Sequence, residues 1–210
     1  TPRPRHSYVE NIKAITNFEL PEIKLDHMKA FTDDTGILQH ANYTIPDRTH
    51  GYCTDDNARA LMVAAMGVKY LPSNDNYLDS LSGHYLGFLQ YAFNEKKGRF
   101  RNFMTYSRQW TEEIGSEDSH GRALWSLGKA VAFMENPGYL AMSTTLFNKA
   151  LQAVEKFHSP RAIAFSLVGI HAYLEKFSGD SDVRRVRIVL AERLFNQFKN
   201  NATDSWPWLE

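Results

Sequence analysis

With a single cysteine, Cys53, in 210 residues, this chain has no internal disulfide framework to rely on. That suits a reducing compartment, and a cytoplasmic location is the expectation. Lysine plus arginine and aspartate plus glutamate number 24 each, which leaves no excess charge of either sign. An even balance offers no electrostatic footprint for nucleic acid or an anionic membrane. No apolar run approaches the roughly 20 residues that span a bilayer, and no secretory leader is visible. G-x-G-x-x-G, P-loop and G-x-S-x-G patterns are missing. The histidines show neither H-x-x-x-H nor H-E-x-x-H spacing, so neither cofactor nor metal is expected.

What is present is apolar material at helical spacing. At 43% hydrophobic and 23% charged, the chain can bury an ordinary globular core. Leu61, Val63, Ala64, Ala65 and Val68 stripe a helix from Asp55 to Tyr70. Leu78, Leu81, Tyr85, Phe88, Leu89 and Phe93 do the same near Tyr77–Phe93. Further helices are expected at 119–134, 139–157, 160–177 and 183–199, with a short one at 21–31. "ENPG" breaks one pair, and Ser159–Pro160 supplies an N-cap and a proline at the first helical position.

These helices alternate in character. Those opening at Asp55, Ser119 and Pro160 are rich in small and apolar residues, whereas those between them carry polar faces. A helix that is apolar nearly all round belongs inside and an amphipathic one outside. A repeat underlies the alternation: Asp55-x-x-x-Arg59-Ala60-Leu61 matches Asp118-x-x-x-Arg122-Ala123-Leu124, with a weaker third copy at "SPRAIAF" around Arg161. The first interval is longer because it contains "RFRNFMTYS", which reads as an extended excursion or hairpin. Repeated hairpins with inner and outer members predict an all-α solenoid or a closed (α/α) toroid, of which the toroid is favoured. Residues 1–20 read as an extension or linker and 21–210 as part of the toroid. Part of the ring is expected outside these residues, since the sequence starts without methionine and stops after "SWPW".

In such an array the inner helices start at one end and aim their unpaired amides at one cavity. Two readings of the recurring cluster stand side by side. In the first, Thr54 or Asp55 caps a helix, and Asp55 with Arg59, like Asp118 with Arg122, forms an i,i+4 surface pair. In the second, Asp55, Asp56, Glu117 and Asp118, joined by Glu210, line a pit as paired carboxylates. Glycoside hydrolysis uses one protonated and one ionised carboxyl, about 5–9.5 Å apart according to the stereochemical route.

Aromatic side chains stack on the C–H faces of sugars, and Tyr52, Tyr106, Trp206 and Trp208 lie on the loops that feed the pit, as does Tyr43. His50, Asn57, Arg59, His120 and Arg122 complete the expected ligand-binding set, with His50 and His120 also able to shuttle protons. His84 and His171 read as packing positions within helices, and Cys53 as a small buried residue.

The segments "TDDTGILQHANYTIPDRTHGYCTDDNARAL", "GSEDSHGRALWSLG", "SPRAIAF" and "WPWLE" resemble a family of bacterial carbohydrate-associated (α/α)-toroid domains, often fused to or found beside GT-B glycosyltransferases. The likeness runs from about residue 24 to the end, and its fold is similar to that of the six-hairpin glycosidases. In that family "WPW" is followed by another inner helix, "YDNARLP", which these residues stop short of. The resemblance implies a glycoside hydrolase-like enzyme acting on an oligosaccharide or polysaccharide, with the five acids above in its cavity. It equally allows a non-catalytic glycan-binding or partner domain of a glycosyltransferase, and more weakly a sugar epimerase using His50 and His120. Likeness of fold does not by itself establish a reaction.

Overall fold

The structure is a computed structural model and describes residues 21–71 and 75–205. Trp206, Trp208 and Glu210, expected at the pit, lie outside the described residues. In chain order the elements are α1 (Asp26–Phe31), β1 (Ala41–Asn42), β2 (Ile45–Pro46), a 3-10 turn (Arg48–His50), β3 (Tyr52–Cys53), α2 (Thr54–Tyr70) and α3 (Asp75–Ala92). There follow β4 (Phe93–Asn94), β5 (Arg99–Phe100), β6 (Phe103–Met104), α4 (Glu117–Phe133), α5 (Pro137–Val154), α6 (Pro160–Lys176) and α7 (Ser181–Asn201). The chain is mostly helical, as its periodicity predicts.

Local chemistry sets the helix starts. Ser116, Asn136, Ser159 and Asp180 each cap one with a side-chain oxygen, and Pro137 and Pro160 occupy first helical positions. "ENPG" therefore both ends α4 and begins α5. The helix expected from residue 21 begins only at Asp26, and its N-cap Leu25 makes no side-chain cap bond.

α2, α4 and α6 form one row. They lie side by side and parallel, α2 against α4 and α4 against α6, the latter pair packing most closely of all. Register shows at both ends of the first pair: Arg122 reaches Asp55, and the Tyr70 and Phe133 rings meet at 5.9 Å. Between α4 and α6 the spacing is set by glycine. A Cβ added to Gly128 would strike the Gly169 carbonyl, and one on Gly121 would lie 2.6 Å from that of Ala162. α3, α5 and α7 pack back on α2, α4 and α6, and α3 also touches α5. Leu61, Leu124, Leu127, Phe147, Ile163 and Ile170 are among the side chains sealed between the layers.

The extended excursion is divided between two partners. β5 pairs with β4 in a hairpin turning through Gly98, whose φ is +63°, while β6 pairs antiparallel with β3 ahead of α2. The second pairing ties the loop after α3 to the amino-terminal tip of α2, and the Thr54 hydroxyl adds a bond to the Arg101 carbonyl at 2.6 Å. No helix among the described residues is long and apolar enough to cross a membrane.

Candidate functional site: the shared amino-terminal end of the inner helices

Because α2, α4 and α6 run parallel, their tips come together at one end, and the acids of the repeat come with them. Cys53, delivered in extended conformation by β3, caps α2 in place of the expected Thr54 or Asp55. The Asp56 amide donates to Cys53 Sγ at 3.4 Å, and the thiol donates to Asp56 Oδ2 at 3.1 Å. Burial first, and the neighbouring Asp56 charge second, push the thiol well above its ordinary range. Cys53 is therefore a protonated donor rather than a nucleophile.

The four described acids are each engaged. Asp55 accepts from Arg59 on its own helix and forms an ion pair with Arg122 on α4, and about one fifth of the Asp55 and Arg122 side chains is exposed. Asp56 lies 3.5 Å from Arg59. On α4, Asp118 accepts from the Ser159 hydroxyl at 2.9 Å and from Arg161 Nε at 2.6 Å. Glu117 Oε2 accepts the backbone amides of His158 and Ser159 at 2.7 and 2.8 Å. An acid at one tip is thus held by a cation of the next: Asp55 by Arg122, Asp118 by Arg161. The Arg122 guanidinium also lies 4.4 Å from the Phe165 ring of α6. Both i,i+4 pairing and cross-helix contact occur at Asp55, whereas Asp118 turns to the next hairpin.

Three expected ligand contacts are interior. Tyr52 is 1% exposed and donates its hydroxyl to Asp33 at 2.6 Å, and burial followed by that carboxylate pushes the phenol up. Asn57 is fully buried: its Oδ1 accepts the Ile37 amide at 3.0 Å and its Nδ2 donates to the Cys53 carbonyl at 2.9 Å. His120 is fully buried too, with Nε2 bonded to the Ala150 carbonyl at 2.9 Å and Nδ1 accepting the Phe100 amide at 3.3 Å. Since a carbonyl can only accept, the proton sits on Nε2 and the ring is neutral. Desolvation pushes its pKa down to about 3, with Arg99 assisting. In this conformation these side chains position loops and hairpins, and no ligand can touch the His120 ring.

The exposed members of the expected set lie around the α2 tip. The Tyr106 ring is half-exposed and stacks on Tyr52 at 6.1 Å, with the Arg48 guanidinium 5.8 Å from it. His50 packs on His40 at 4.3 Å and lies 3.9 Å from Asp47. Tyr43 stands free of packing at the β1–β2 turn with a φ of +58°. Arg59 is also exposed. His84 and His171, expected as packing positions, are instead exposed on helix surfaces. Their ring nitrogens turn to a neighbour one turn away, the Ser80 carbonyl at 2.9 Å and Glu175 at 3.6 Å.

Sequence reasoning missed the residues that fasten the excursion to this end. Glu112 Oε1 accepts the Asn102 and Phe103 amides at 2.7 and 3.0 Å, and Asp33 anchors Tyr52. Arg161 was visible only as the weak third copy. Among the described residues no group of three or more His, Cys, Asp or Glu is arranged to hold a metal ion. Compared with known protein families and with curated proteins, the chain matches none.

Proposed function

We propose that the chain is a sector of an (α/α) toroid that handles carbohydrate, with its ligand meeting the shared amino-terminal end of α2, α4 and α6. One observation carries the reading: acids and guanidinium groups from three hairpins gather at that end, beside half-exposed Tyr106 and exposed His50. Planar carboxylate and guanidinium edges match vicinal hydroxyls, and aromatic faces match the C–H face of a pyranose ring. An oligosaccharide or polysaccharide is the ligand class.

Within this reading, glycan binding is favoured over hydrolysis. The lone pairs of Asp55 and Asp118 already face guanidinium groups, and Glu117 is taken up by backbone amides. Those acids have little left to offer a proton or an attacking water. The glycoside hydrolase reading keeps one specific support. Asp56, about one third exposed, has only a 3.5 Å approach from Arg59 and the weak thiol donor.

Asp56→Asn and Asp118→Asn separate the two. A binding domain gives no reducing ends from a panel of oligosaccharides after long incubation, with either side chain. A hydrolase releases them, and Asp56→Asn then abolishes release with the melting temperature unchanged. Turnover that survives in Asp56→Asn removes that residue from the chemistry.

A further inference from the structure

A second groove lies on α3, beside the loops that lead to the α2 tip. His84, Gly87, Phe88 and Tyr91 recur at i, i+3, i+4 and i+7 and therefore share one face of α3. Asp34 and Thr35 on one loop, with Met104 of β6 and Arg108 on the loop after it, stand across from them around a space of about 460 Å³. The floor is unusual for a helix: a Cβ placed on Gly87 meets nothing within 4 Å, so the backbone itself lies open.

The walls carry complementary chemistry. Tyr91 is 57% exposed, with its ring tilted against that of Trp110 at 5.4 Å. Across the groove Arg108 donates twice to Asp34, at 2.7 and 2.8 Å, joining loops far apart in sequence. Arg108 holds a φ of +64°, a conformation that a non-glycine residue rarely adopts. That pairing cancels the two charges and fixes a planar edge on which both donors and acceptor lone pairs remain. His84 Nδ1 is bound to the Ser80 carbonyl, so in the neutral ring Nε2 is an acceptor. An aromatic face, an open backbone floor, and donors and acceptors without net charge fit a neutral polyhydroxylated ring. A carboxylate or phosphate would find no uncompensated cation here.

We propose that this groove is a subsite for a neutral pyranose residue of a glycan chain, stacked on Tyr91 and hydrogen-bonded to the Asp34–Arg108 edge and His84. The proposal rests on the carbohydrate reading above but places a contact on α3 and its facing loops rather than on the acids and arginines of the tips. Neutral trisaccharides of glucose, mannose and galactose are the probes, followed by saturation-transfer NMR against the full chain. Gly87→Gln fills the floor and Tyr91→Ala removes the platform, Asp56→Asn reports on the tips, and Ile188→Ser on the exposed face of α7 is the control. Gly87→Gln is expected to melt no lower than the parent, since its side chain enters empty space. The parent and Ile188→Ser should bind at least one probe, and both groove variants should bind it at least roughly ten-fold more weakly. Binding retained by either groove variant, equal loss in Ile188→Ser, or no binding of any probe by the parent overturns the assignment. Loss in Asp56→Asn alone would uphold the tip reading while ending this one.

Discussion

His120 shows how a residue that reads as functional can owe its place to packing. An imidazole beside a repeated acidic cluster suggests a ligand group, yet both nitrogens bond to backbone and the ring edge meets Phe157 at 5.2 Å. Burial holds it neutral, with its pKa down at about 3 against an ordinary 6.5. The unfolded chain therefore binds a proton that the folded chain refuses between those values. Stability is complete above about pH 6.5 and falls as the pH drops toward 3, by up to ~1.4 kcal/mol per pH unit. Urea melts at pH 7 and pH 5 should show this slope in the parent and a shallower one in His120→Gln, which has no imidazole to charge. Cys53 makes the companion case: a thiol-specific reagent should label it slowly in the folded chain and rapidly in denaturant.

At the scale of the element, packing distance rather than propensity decides what a glycine does. Gly128 faces the Gly169 carbonyl across the α4–α6 contact, so a methyl group there meets backbone that cannot move aside. Gly128→Ala should destabilise by about 1–3 kcal/mol, or more, even though alanine favours helix. Gly87→Ala, with open space around it, should stabilise by roughly 0.5–1 kcal/mol. Paired thermal melts of the two variants check both signs. Much at this level was legible in sequence: the helices and the breaks between them, and the capping roles of Ser159 with Pro160. It was legible because periodicity and capping act within a few residues. The start of α2 was not, because Cys53 becomes the cap only after β3 pairs with β6, whose residues come much later in the chain. The destination of "RFRNFMTYS" was hidden for the same reason: its halves pair with different partners, and strand pattern carries no partner's name.

Across the whole molecule, the recurring acid–arginine cluster works as a tie between successive hairpins. Sequence spacing showed the repeat and the common direction of the tips, but Asp55–Arg59 and Asp118–Arg122 look identical as i,i+4 pairs. Only the assembled array reveals that Arg122 leans back to Asp55 while Asp118 leans forward to Arg161. The asymmetry follows from the chain between the helices. The segment before α6 is short and lies against Glu117 and Asp118, whereas the excursion before α4 is held by Glu112 and β3, leaving Arg122 free to reach Asp55. These ties should differ in strength. The Asp55–Arg122 pair is largely shielded from water, so Asp55→Asn, which weakens its hold on two guanidinium groups, should destabilise by about 1.5–3 kcal/mol. In Asp118→Asn the Ser159 bond can persist and the Arg161 side chain is 55% exposed, so the loss should be about 1 kcal/mol or less and should shrink in high salt. Urea titrations at low and high salt, with Asp55→Asn combined with Arg122→Gln to close a double-mutant cycle, measure the coupling directly. A coupling near zero would mean that the tips meet without holding each other. The cluster would then have to be explained by its ligand alone.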